Sequence, residues 1–156
     1  MAALYGFEIQ AALHGAWSEE LIDRLNQALE WWDTDFWDGG DTEVFVSVPF
    51  SEFDFAPDCL SAGPVCGEAE GLSLMEILEV AVNGGTDPIS EEELPLEERD
   101  GYDEEAQTAL LEGMYANGCS LVLEAEENVY GEELGKRRYQ ISSDGGQFLL
   151  TVDEIA

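Results

Sequence analysis

Basic residues are almost missing from this 156-residue chain: five Lys and Arg and a single His stand against 36 acids, a formal net charge of -31. That sign excludes a protein that grips DNA or RNA through its own phosphate contacts, and an anionic membrane surface would repel it. Long hydrophobic runs are missing too. No segment approaches the roughly 18 apolar residues of a membrane span, and the opening MAALYGFEIQ has no basic region ahead of an apolar run, so no signal peptide is expected. Cysteine is scarce and odd in number. Cys59, Cys66 and Cys119 form neither a disulfide framework nor a zinc knuckle, and are expected to be buried or loop thiols. No glycine loop for phosphate is present, because Gly84-Gly85 and Gly145-Gly146 lack the spacing and the lysine. Asp33, Asp35, Asp38 and Asp41 fail the calcium-loop pattern, since Trp37 and Val44 stand where oxygen ligands belong. His14 has no evident catalytic partner, and with 36 acids carboxylate pairs are inevitable and uninformative. The expectation is a protein without cofactor, metal or catalytic site.

What is present is the material of a core. Hydrophobic content is 45%, with four Trp, seven Phe and five Tyr, which disordered acidic tails lack. Leu4 to Leu13 reads as a strand. Ser18 is a helix cap, and Leu21, Leu25, Ala28, Leu29 and Trp32 follow helical spacing to about residue 32. Glu43 to Phe50 reads as a second strand, and residues 51–71, with Pro57, Pro64 and several glycines, as a long loop. Ser73 and Glu76 form a capping box for a helix that Asn83-Gly84-Gly85 stops. Asp103 caps a third helix running to about Tyr115. Cys119 to Ala125 alternates as a strand, and Arg137 to Ser142 and Gln147 to Val152 flank the hairpin turn Ser143-Asp144-Gly145-Gly146. The prediction is a single compact α+β domain, an antiparallel sheet with two to three amphipathic helices. Trp31, Trp32, Phe36 and Trp37 are expected to anchor the first helix against the sheet, with an exposed partner site beside Asp33, Asp35 and Asp38 as the alternative reading. The basic trio Lys136-Arg137-Arg138 is expected to pair with the protein's own acids.

Acid is densest from Ser90 to Glu105, where nine of sixteen residues are carboxylates and Arg99 is the only cation. Self-repulsion on this scale disfavours a compact state, so the acid excess is read as functional. The surface expected for a chain of this mass is about 7,700 Å², or one net charge per roughly 250 Å²; duplex DNA carries roughly one per 110 Å². Gathering the acids on one face would bring that face to DNA-like density. If the stretch is helical, Glu97, Asp100 and Glu104, or Glu98 and Glu105, would form a row about 5 to 6 Å apart, although Pro95 and Gly101 oppose a continuous helix.

In acidity and size the chain resembles the DNA-mimic anti-defence proteins of phages and mobile elements, including anti-restriction and anti-CRISPR proteins. The segment Leu13-His14-Gly15-Ala16-Trp17, after a first strand, is similar to one near the start of the ArdA anti-restriction proteins. The resemblance implies a non-enzymatic inhibitor in a prokaryotic cytoplasm that occupies the nucleic-acid groove of a CRISPR surveillance complex or restriction enzyme. The partner would be a basic nucleic-acid-binding protein, with no direct contact to nucleic acid or membrane. Its expected contacts are Glu91, Glu92, Glu93, Glu97, Glu98, Asp100, Asp103, Glu104 and Glu105, assisted by Asp33, Asp35, Asp38 and Asp41. Two rivals share the charge: a halophile's cytosolic protein, against which Glu outnumbers Asp two to one, and an antitoxin or immunity protein that neutralises a basic toxin.

Overall fold

Alternation along β1 (Leu4–His14) organises the computed structural model, which describes residues 4–34, 46–86 and 93–155. Phe7, Ile9, Ala11 and Leu13 are buried on one side of the strand, while Glu8, Gln10 and His14 are exposed on the other. The remaining elements follow as α1 (Glu19–Trp32), β2 (Val46–Ser47), β3 (Ser61–Glu70), α2 (Leu74–Asn83), β4 (Gly85–Thr86), β5 (Glu93–Leu94), α3 (Glu104–Asn117), β6 (Ser120–Val129), β7 (Glu132–Ser143) and β8 (Phe148–Glu154). Six strands form one antiparallel sheet in the order β2-β3-β1-β6-β7-β8, and β4 and β5 form a separate ribbon. One hydrophobic core joins the inward side of this sheet to all three helices. This is the α+β domain expected from the sequence. The opposite side of the sheet, bearing Glu8, Glu68, Glu126, Arg138 and Gln140, is left open.

The helix starts follow their capping chemistry. The Ser18 hydroxyl accepts from the Leu21 amide, Asp103 accepts from Ala106, and Ser73 and Glu76 complete a capping box. Three side chains, Asn26 and Asn83 on helices and Thr34 just beyond the end of α1, then imitate strand pairing. Asn26 bonds both backbone groups of Phe55, Thr34 those of Val48 and Asn83 those of Phe148. Each satisfies a donor and an acceptor that the helix-to-sheet crossing would otherwise bury unpaired. Trp31 and Trp32 lie in the core at 1% and 2% exposure.

The long loop expected over residues 51–71 is a correction. Residues 61–70 are β3, a ten-residue strand inside the sheet. Its pairing with β1 slips between Ile9↔Val65 and Ala11↔Ala62, so Gly63 and Pro64 together face Gln10. A bulge of this kind is where a sheet tolerates glycine and proline. The expected strand from Glu43 to Phe50 shortens to Val46–Ser47, with Phe50 opening a 3-10 turn; residues 43–45 lie outside the described residues. The strand expected to end at Ala125 continues to Val129.

Candidate partner-binding surface

The acid-rich stretch is built around its one cation. Arg99 is 5% exposed. Its guanidinium donates to the carbonyls of Trp31 (3.3 Å), Ala81, Val80 (2.5 Å) and Leu94 (3.2 Å). The last turns of α1 and α2 contain no basic residue. The carbonyls that end a helix carry its negative dipole and are short of internal donors, although Val80 O also accepts from Gly84 N, and Arg99 supplies both donors and charge from a distant part of the chain. Gln107 of α3 completes the junction, donating to Val82 O at 2.9 Å and accepting from Trp31 Nε1 at 3.0 Å. Tyr102 packs edge-on against Trp31, with ring centroids 5.5 Å apart. Burial pushes the Arg99 guanidinium down to about 10, so it remains charged at neutral pH.

This anchoring sets the shape of the acidic segment and corrects the expected helical row. Residues 96–98 make one 3-10 turn, Arg99 is extended, and Gly101 takes a left-handed φ of 80°. Glu97, Asp100 and Glu104 therefore share no helix, nor do Glu98 and Glu105; only Glu104 and Glu105 belong to α3. Turning the chain inward at Arg99 leaves Glu93, Glu97, Glu98, Asp100, Asp103, Glu104 and Glu105 exposed. Glu98 and Asp100 meet Glu30 and Asp33 of the α1 end across a shallow groove of about 650 Å³, with Trp31 and Arg99 in its wall. Asp33 also accepts a short hydrogen bond from the Ser51 hydroxyl. The segment and the α1 end thus line one groove. Glu91, Glu92, Asp35, Asp38 and Asp41, with Phe36 and Trp37, lie outside the described residues.

Sequence reading missed a second acidic area on the open side of the sheet. Glu8 stands directly across from Glu126, and Glu8, Glu68, Glu126 and Glu133 line a groove of about 620 Å³ beside the exposed Cys66. Cross-strand neighbours of this kind lie about 5 Å apart and residues two apart on one strand about 7 Å. Strand parity was the available signal, because Glu124 and Glu126 alternate with the buried Leu123 and Ala125. Glu127 follows the same parity and points inward, an acid where the alternation places apolar residues. At 3% exposure it accepts from the Tyr139 hydroxyl at 2.8 Å and lies 3.8 Å from Arg137.

The cations are largely spent on the protein itself. Arg138 pairs with Glu124 at 2.8 Å, holding that carboxyl below its usual range, and Arg137 lies between Glu127 and Glu154. Arg99 is buried, while Arg137 and Arg138, 36% and 48% exposed, are paired with the protein's own carboxylates. Cys59 and Cys66 are exposed; Cys119 is buried, which raises its thiol pKa. Among the described residues no three His, Cys, Asp or Glu side chains converge to hold a metal ion. Nor is any described helix long and apolar enough to cross a membrane. Compared with known proteins, the chain matches no family model, no curated protein and no solved structure.

Proposed function

We propose that this protein is a non-enzymatic inhibitor that presents nucleic-acid-like negative charge to a basic partner. The partner would be the DNA- or RNA-binding surface of a prokaryotic defence protein such as a CRISPR surveillance complex, met in the cytoplasm. The observation that carries this reading is an acid excess mounted on a well-packed core, with three of the five cations already held by the protein's own carbonyls and carboxylates. A net charge of -31 over 8073 Å² of accessible surface is one charge per about 260 Å². That is less than half the average density of DNA, about one per 110 Å², so contact falls where carboxylates crowd: Glu97, Glu98 and Asp100 beside Glu30 and Asp33. Attraction of this range speeds encounter with a basic groove and weakens with salt.

The test is capture from prokaryotic lysate at low salt, followed by elution with duplex DNA or RNA. A nucleic-acid-binding protein released by nucleic acid and by salt, and lost when Glu97, Glu98 and Asp100 are all replaced by Lys, supports the proposal. A captured partner that nucleic acid does not displace would point instead to a basic toxin. Undiminished binding by the folded triple variant would remove the assigned surface.

A further inference from the structure

We propose that Arg99 is a positioning residue for partner binding: by joining the carbonyl ends of α1 and α2 to the acidic segment, it fixes Glu97, Glu98 and Asp100 in a binding-ready geometry. The inference rests on the reading of this surface as the partner-binding one, and adds how the surface is held. Glu97, Glu98 and Asp100 are all exposed and flank a residue that is 5% exposed. The backbone that carries these carboxylates on either side of Arg99 therefore cannot shift far without withdrawing the guanidinium from its carbonyls on three separate stretches of chain, Trp31, Val80–Ala81 and Leu94. A flexible acidic tail of the same composition would lose its conformational freedom on binding; an anchored segment has already lost it on folding.

Arginine suits this task and lysine does not. Two terminal nitrogens of a planar fork each reach two carbonyls here, Nη1 those of Trp31 and Ala81, Nη2 those of Val80 and Leu94. A single ammonium cannot span that arrangement. Arg99→Lys consequently leaves the net charge at -31 while removing the geometry. Long-range attraction depends on net charge and governs association, whereas order in the bound surface governs dissociation.

The experiment compares the wild type, Arg99→Lys, and the charge-neutralised triple Glu97→Gln, Glu98→Gln, Asp100→Asn. Each is read by amide hydrogen exchange and by binding kinetics to an oligo-arginine peptide over a salt series. Arg99→Lys is expected to speed exchange over residues 94–101 and raise the dissociation rate about tenfold, with the association rate and its salt slope unchanged. The triple variant is expected to keep wild-type exchange while associating more slowly and with a shallower salt slope. Global destabilisation alone would lower the binding-competent fraction and leave the dissociation rate of that fraction as it was. If Arg99→Lys does not fold, Tyr102→Ala, which removes the segment's ring contact with Trp31, carries the same expectation. Wild-type exchange in Arg99→Lys, or faster exchange with a wild-type dissociation rate, overturns the positioning role. Failure of the wild type to bind the peptide overturns the reading of the surface itself, and the positioning role with it.

Discussion

Two buried ionisable residues show how this acidic chain handles charge inside its core. The two terminal nitrogens of Arg99 donate to carbonyls, with no carboxylate among those acceptors, although acids surround it in sequence. Glu127 is satisfied by the Tyr139 hydroxyl and sits near Arg137. Burial first, and then the hydrogen bond to the Glu127 carboxylate, push the Tyr139 hydroxyl pKa well up, so it remains a donor at neutral pH. Tyr139→Phe keeps the ring and removes only that donor. It should destabilise the protein by about 2 kcal/mol, because a buried carboxylate then loses a charge-assisted hydrogen bond. Pairing it with Glu127→Leu should recover much of the loss, since no buried carboxylate remains to satisfy. Urea unfolding of the single and double variants measures both. Equal destabilisation of the two would show that the loss does not come from an orphaned Glu127 carboxylate. Neither residue's environment was legible in the sequence. Glu127 reads as one more surface acid until its parity with Leu121, Leu123 and Ala125 is noticed, and the Trp31 carbonyl that Arg99 reaches lies 68 residues away along the chain.

At the scale of elements, local chemistry was legible and long-range pairing was not. The three helix starts and the β7–β8 hairpin were readable because capping and turn residues act on their own neighbours within a few positions. β3 was hidden because its composition, SAGPVCGEAE, is that of a loop. Its strand character comes from β1 and β2 on either side, which supply the pairing that its small residues do not favour alone. Gly63 is the most exacting position in it. Its φ is 113°, and a Cβ there would lie 2.8 Å from the Ile9 carbonyl oxygen, a backbone atom that cannot turn aside. Gly63→Ala should therefore cost about 2 kcal/mol or more, combining an unfavourable backbone conformation with a collision in the β1–β3 ladder. The loss should appear as a lower melting temperature together with faster hydrogen exchange in both strands. Ala at Gly118, which caps α3 in the left-handed region with nothing within 4 Å of its added carbon, should cost less. An equal cost at the two positions would mean that the close approach at Gly63 contributes nothing.

For the molecule as a whole, the question is whether so much charge of one sign can fold without concentrated salt. One net charge per about 260 Å² corresponds to a mean separation of about 16 Å. The screening length is about 30 Å at 0.01 M ionic strength and about 8 Å at 0.15 M. Average neighbours therefore repel in very dilute buffer and are largely screened at physiological salt; the crossover lies near 0.04 M, where the two lengths match. Repulsion inside the crowded segment of Glu97, Glu98 and Asp100 outlasts this, but the Arg99 anchor opposes it locally. The melting temperature should accordingly rise by about 6 °C between 0.01 and 0.15 M salt, equivalent to roughly 2 kcal/mol of relieved repulsion, and then level off. A halophile's protein would instead be unfolded in dilute buffer and continue to gain stability past about 1 M, far beyond the point at which simple screening is complete. Circular dichroism melts across that salt range separate the two. A plateau near physiological salt leaves the acid excess free to serve a partner, whereas a continuing rise would assign it to the solvent.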